Sequence, residues 1–251
     1  MCPRYVCLLG ISEFYLKTGT GRKRRYIPMH SVVLSIGQEL SLILPSLHAL
    51  SGCDSTSAFS DIGKQKWVSL LDANPEITAG LTQFGTHASD ITNECQAACR
   101  SLVSLAYSGN IDGSLNDLRY ELFCKKSLSS EKLPPTEDAF LLHLKRANYQ
   151  AYIWIHALQP LLKLPSPIGN GWKRDESGGV VPHQMTRPAA PEAFLVFVKC
   201  ACQSGCYTLR CKCRKESMLC SDACGCENDS CANRVPDEPP ETDDSEDDSD
   251  S

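Results

Sequence analysis

Residues 200–231 read CACQSGCYTLRCKCRKESMLCSDACGCENDSC, and this stretch decides how the chain is organised. Nine of the fifteen cysteines fall within it. Three Cys-x-Cys pairs, Cys200/Cys202, Cys211/Cys213 and Cys224/Cys226, alternate with single cysteines at Cys206, Cys220 and Cys231. The two thiols of such a pair reach one ion or two adjacent ions, so repeated pairs favour a polynuclear cluster over separate zinc fingers. Three tetrahedral zinc ions offer twelve ligand positions, and nine thiolates fill them when three of the nine bridge. No histidine follows His183, and Asp222 and Asp229 are not needed in this count. Tyr207, Leu209, Met218 and Leu219 are the only sizeable apolar side chains in the stretch. Metal capture is therefore expected to supply its folding free energy, on the order of 10 kcal/mol or more.

The rest of the sequence favours metal over disulfides. The first fifteen residues carry only a short apolar run, with neither a basic leader nor a small-residue cleavage site. No run approaches the length of a membrane-spanning helix. A soluble intracellular protein without a membrane partner is expected, and thiols in that reducing setting stay available for metal. Cys2, Cys7, Cys53, Cys95, Cys99 and Cys124 are scattered and read as ordinary thiols.

The cysteine stretch resembles the CXC domain of tesmin-type and male-specific-lethal proteins and the CXC segment of enhancer-of-zeste methyltransferases. Gly205-Cys206-Tyr207-Thr208 and Cys211-Lys212-Cys213-Arg214 carry the resemblance most closely. It implies three zinc ions on nine cysteines and contact with DNA or chromatin through side chains beside the central pair. Arg210, Lys212, Arg214 and Lys215 stand there in this chain, with Arg210 at the place of the tesmin-type tyrosine. Without any nucleic acid, the same cations would only balance the cluster, since nine thiolates and three zinc ions sum to −3. A metallothionein-like metal store is a third reading, which Tyr207, Leu209 and the large preceding domain disfavour.

Working back towards the amino terminus, Glu13–Lys17 and Tyr26–Met29 read as a strand pair around Thr18-Gly19-Thr20-Gly21 and the basic Arg22-Lys23-Arg24-Arg25. That basic run suits a nuclear-import or phosphate-binding patch, or a plain hairpin turn. From His30, the spacing of Val32, Val33, Ile36, Leu40, Ile43 and Leu47 suits a helix interrupted at Pro45 and ended by Gly52. Further helices are expected at about 64–73, 88–107, 114–126 and 136–158. The last carries the strongest signals: Thr136 as N-cap, Glu137 and Asp138 in the first turn, and Pro160 as terminator. Cys95 and Cys99 fall on the apolar face of one helix, while His143 and His156 have no ligand-type neighbour at helical spacing and are given no chemistry.

A second informative segment is LPSLHALSGCDSTSAFSDIGKQKW, residues 44–67. It resembles the PIN-like fold of flap-endonuclease relatives, in which an aspartate at the place of Asp54 helps to bind metal and a glycine turn grips a phosphate. Together with LPPTEDAFLLHLKRANYQAYIW, Gly171-Trp172 and the terminal cysteines, it resembles a group of transposon-associated animal proteins over nearly the whole chain. Two-metal hydrolysis requires several converging carboxylates, yet only Glu13 and Glu39 precede Asp54. Asp54 is thus a weak catalytic candidate, and its bland reading is a turn or N-cap residue. A truncated PIN-like domain without catalysis is expected, as though the chain begins partway through that fold, and magnesium is not. The enzyme alternative is a metal-dependent nuclease whose carboxylates lie upstream; a protein-interaction scaffold is the third class.

The expected fold class is α/β, predominantly helical: a PIN-like domain with a small β-hairpin over 1–160, followed by an irregular three-zinc CXC module over 196–235. A Pro/Gly linker over 161–195 joins them, and 236–251 is a disordered acidic tail. The net charge of −5 conceals an asymmetry, because residues 237–251 hold nine acidic groups and no basic one. That tail suits a basic protein partner or a fold-back onto the Arg210–Lys215 stripe, and Ser245 before Glu246-Asp247-Asp248 suits phosphorylation.

Overall fold

In the computed structural model, the described residues are 2–110, 114–126, 130–187, 199–203, 205–220, 224–226 and 231–234. The acidic tail, Asp222, Asp229 and Ser245 lie outside them. The chain divides into two compact units, one formed by 1–121 with 132–189 and the other by 122–131 with 190–251. The protein is mostly helical, with two small two-stranded antiparallel sheets and a carboxy-terminal cysteine cluster.

The first unit opens with α1 (Cys2–Leu8), followed by the hairpin β1 (Tyr15–Thr18) and β2 (Arg25–Pro28). Next come α2 (Met29–Ile36) and α3 (Gln38–Leu50). The break between these helices lies at Gly37 and not at Pro45, as the sequence had suggested. Gly37 adopts φ 81° and turns the chain by 104°. Pro45 stays inside α3, where its ring only withholds an N–H from one rung of the ladder. Among the described residues, no single helix is long and apolar enough to cross a membrane.

The helices α4 (Lys64–Ala73), α5 (Pro75–Gly80), α6 (Asn93–Ser108) and α7 (Leu115–Lys126) lead to α8 (Glu137–Ile155). The expected Thr136 cap forms, its side chain accepting from the Ala139 N–H, and α6, expected from about 88, starts at Asn93, where the Thr92 side chain accepts from the Cys95 N–H. Leu40, Ile43, Leu47 and Leu50 of α3 are buried, as are Phe140, Leu144, Ala147 and Ala151 of α8, and these two helices pack against each other. Each such large apolar side chain contributes about 1.5–3 kcal/mol on burial. Glu137 ties three helices together, accepting from Arg100 at 3.1 Å and from the Leu115 N–H that opens α7.

Two buried polar groups of α8 are fully used. Asn148 accepts from the Gly85 N–H at 2.7 Å and donates to the His87 and Ala88 carbonyls, holding the 84–88 loop in place. The His143 ring meets the Leu50 carbonyl at 2.7 Å and packs edge-on against Phe59, and burial holds its pKa down at about 4. This is a neutral core histidine.

The Pro/Gly-rich stretch expected to act as a linker contains a second hairpin, β3 (Trp172–Arg174) with β4 (Val180–Pro182). Asp175 closes its turn by accepting from Ser177 and from the Gly179 N–H. Arg146 of α8 donates to the Gly171 and His183 carbonyls, which seats the hairpin on that helix. Gly171, at φ 79°, approaches so closely that a Cβ would stand 2.6 Å from the Leu142 carbonyl oxygen.

Candidate metal centre

The second unit has an interior of sulfur. Cys200, Cys206, Cys211, Cys213, Cys220, Cys224, Cys226 and Cys231 are buried, with half-buried Cys202 and Met218 packed against them. All nine sequence-selected cysteines therefore converge, and none forms a disulfide. Cysteine spacing explains the convergence locally. Each Cys-x-Cys pair presents two thiols from adjacent backbone positions, and the short helix α9 (Lys212–Lys215) turns Cys213 inward to complete burial.

Three overlapping groups of four have sulfurs mutually within 4.8 Å: Cys200/Cys213/Cys220/Cys224, Cys200/Cys206/Cys220/Cys226 and Cys200/Cys202/Cys206/Cys211. Tetrahedral zinc with Zn–S near 2.3 Å sets its sulfurs about 3.8 Å apart. The Cys200 sulfur lies 3.9 Å from those of Cys206 and Cys220, and Cys213 and Cys224 are 3.5 Å apart. A disulfide would need about 2.05 Å. These residues fit zinc. Cys231 falls outside the three groups, yet its sulfur interacts with those of Cys226, Cys206 and Cys220.

The thiols sit in a crowded, partly desolvated electrostatic environment. Burial, together with hydrogen bonds to neighbouring thiols, pushes the Cys213 thiol up to about 12 and raises Cys206 and Cys220 far above the usual range. At Cys200 burial also acts upward, but hydrogen bonds from the Cys202 backbone and from surrounding thiols outweigh it and bring the pKa down to about 6. So many sulfurs in one small volume cannot all ionise without positive charge among them.

The backbone frame is equally specific. Gly225 donates to the Cys200 carbonyl at 2.8 Å and Ala232 to that of Gly205 at 2.8 Å. Asn233, which sequence reasoning missed, is buried and grips Cys220 twice. Its carbonyl accepts from the Cys220 N–H at 2.6 Å, and its side chain donates to the Cys220 sulfur at 3.3 Å and to the Met218 carbonyl. The available signal was position, a polar residue two places after the last ligand. Cys206 holds a left-handed φ of 53°, unfavourable for a residue with a Cβ and maintained by the surrounding frame.

The four cations singled out around the central pair separate into two kinds. Arg210, Lys212 and Lys215 are exposed, whereas Arg214 is half-buried and donates to the Cys206 carbonyl at 2.9 Å. Tyr207 and Leu209 beside them are 70% and 69% exposed.

In the first unit, Asp54 sits exposed at the tip of a tight turn closed by reciprocal backbone hydrogen bonds between Cys53 and Thr56. Among the described residues, it joins no group of three potential metal ligands. Lys64, weighed as a phosphate contact, is exposed, and its ammonium donates to Ser51 Oγ at 2.7 Å and to the His48 and Gly52 carbonyls at the end of α3. The Cys53 sulfur lies 3.4 Å from the Ser55 hydroxyl and 3.1 Å from that of Thr56; burial pushes its pKa up, but hydrogen bonding with these side chains and their backbone outweighs it and lowers the pKa. Cys95 and Cys99 are buried in α6.

No known family model, curated protein or solved structure matches the chain.

Proposed function

We propose that residues 196–235 form a three-zinc CXC module that anchors this chain on DNA or chromatin in the nucleus. The observation that carries the reading is how the sulfur groups overlap. Cys200 is the only sulfur common to the groups containing Cys213 and Cys202, Cys220 links the first of these to the Cys226 group, and Cys206 links that group to the Cys202 group. With these three as bridges, Cys213 and Cys224 complete one ion, Cys202 and Cys211 a second, and Cys226 and Cys231 the third. Every cysteine is then used, and twelve tetrahedral positions are filled by nine thiolates.

The resulting cluster carries a formal charge of −3, and four cations stand around its central cysteine pair. Arg214 braces the Cys206 loop, so Arg210, Lys212 and Lys215 are proposed as the phosphate and groove contacts, flanked by the exposed Tyr207. Such binding depends on salt, since each neutralised phosphate releases counterions. The resemblance to transposon-associated proteins with a PIN-like region supports a mobile-element origin and a binding role for the first unit. The nuclease alternative needs several carboxylates converging on Asp54. The acidic stretch that follows the module is proposed to meet a basic protein partner.

The test is a titration of labelled duplex DNA with the zinc-loaded full chain and with its R210E/K212E/K215E variant. The expected result is at least tenfold weaker binding for the variant, with its zinc content retained. Unchanged DNA retention would favour the scaffold reading.

A further inference from the structure

The zinc module does not account for the strongest run of positive charge, which lies in the first unit. From Phe14 to Gln38 the sequence carries Lys17, Arg22, Lys23, Arg24 and Arg25 and no acidic residue. All five cations are exposed, and none forms an ion pair among the described residues. They sit on the hairpin β1–β2, whose turn is a short 3-10 segment, Gly21–Lys23.

The strand register decides what accompanies the charge. Tyr15 pairs with Pro28 and Lys17 with Tyr26, so these four share one face, while Leu16, Thr18, Arg25 and Ile27 share the other. Tyr15 and Tyr26 are 53% and 60% exposed, beside exposed Lys17. Tyr15 is held edge-on against His30 at 5.1 Å, and His30 is itself bonded to the Phe14 backbone. Two aromatic rings are thus displayed on one face of a two-stranded ribbon, one of them braced, with Lys17 beside them, Arg22, Lys23 and Arg24 at the turn and Arg25 on the opposite face where β2 begins.

We propose that this hairpin is a contact surface for single-stranded nucleic acid, with Tyr15 and Tyr26 stacking on bases and Lys17 and Arg22–Arg25 tracking the phosphates. The occupant is chosen by what each alternative leaves unexplained. An acidic peptide would use the cations but not the rings, and an apolar partner would use the rings but not five unpaired cations. A single strand uses both, since every base has a stacking face and every link a negative charge. The proposal uses residues of the first unit alone and stands or falls independently of the zinc-module reading.

The experiment uses the zinc-loaded full chain and a fluorescent 20-nucleotide oligo(dT), with thermal melting as the check that each variant is folded. R22Q/R24Q/R25Q is expected to weaken binding at least tenfold and to flatten its salt dependence by about two in log–log slope. Y26A is expected to cost at least about fivefold, and Y26F to restore binding, because stacking needs the ring and not the hydroxyl. R210E/K212E/K215E should leave the effects of the hairpin variants unchanged. Full-strength oligo(dT) binding by folded Y26A and R22Q/R24Q/R25Q proteins would overturn the proposal while leaving the zinc-module reading intact. Loss of duplex binding only in the module variant would uphold that reading alone. If polyglutamate displaced oligo(dT) from wild type and Y26A equally well, or the hairpin variants instead abolished a dimer seen by sedimentation, the surface would belong to an acidic peptide or to a second copy, and the proposal would fail.

Discussion

The same residue type plays two physical roles in this chain. In α6, Cys95 and Cys99 lie buried among Leu102, Val103 and Ala106 and act as small apolar groups, with burial pushing the Cys99 thiol well up. In the second unit, cysteines form the interior with little hydrocarbon around them. One interior is closed by removing apolar surface from water, so its stability follows from side-chain volume. The other gathers groups that repel one another once ionised, so under the proposed zinc reading its stability would follow from the cations it holds. The comparison shows why a short segment poor in Leu, Ile and Phe can still be compact.

The sharpest way to break the comparison is to remove metal. Adding a zinc chelator to the full chain is expected to unfold the second unit, with a loss on the order of 10 kcal/mol. The helical unit should keep its own melting transition. Calorimetry with and without chelator checks this, and joint collapse would show that the two interiors are not governed separately.

A finer separation lies within the cluster. Replacing a proposed bridge, C220S, removes a ligand from two ions, whereas C202S removes one from a single ion. Native mass spectrometry is expected to show C220S losing more than one zinc and C202S at most one. Equal losses would sink the bridge assignment.

The smallest expected effect concerns the helical unit and pH. His143 has a native pKa of about 4 against an ordinary value of 6.5, so between these values the unfolded chain binds a proton that the native core refuses. Its contribution is complete above pH 6.5, falls as the pH drops towards 4, and amounts to about 3 kcal/mol once fully lost. Urea midpoints of the helical transition should fall across that window in wild type and much less in His143→Gln. An equal acid slope in both would show that another group is responsible.

Much of the helical unit was legible because its signals are local. Thr136 caps α8 through a contact three residues away, and α4 spans the expected 64–73, whereas the Thr92 cap of α6 went unread and that helix was expected from about 88. The break between α2 and α3 was misplaced because Pro45 looks like a helix breaker, whereas Gly37 has the conformational freedom to reverse the chain. The second hairpin was hidden within a Pro/Gly-rich stretch because its anchor, Arg146, lies 25 residues from Gly171.

By itself, the sequence determined that nine thiols would gather, because cysteine spacing is a property of the chain and the ligand count is arithmetic. Only the tertiary structure decided which thiols are shared between groups, that Asn233 grips Cys220, and that Arg214 faces inward while Arg210 stays exposed. These depend on which backbone segments meet after the loops close, and such meetings leave no local periodicity to read.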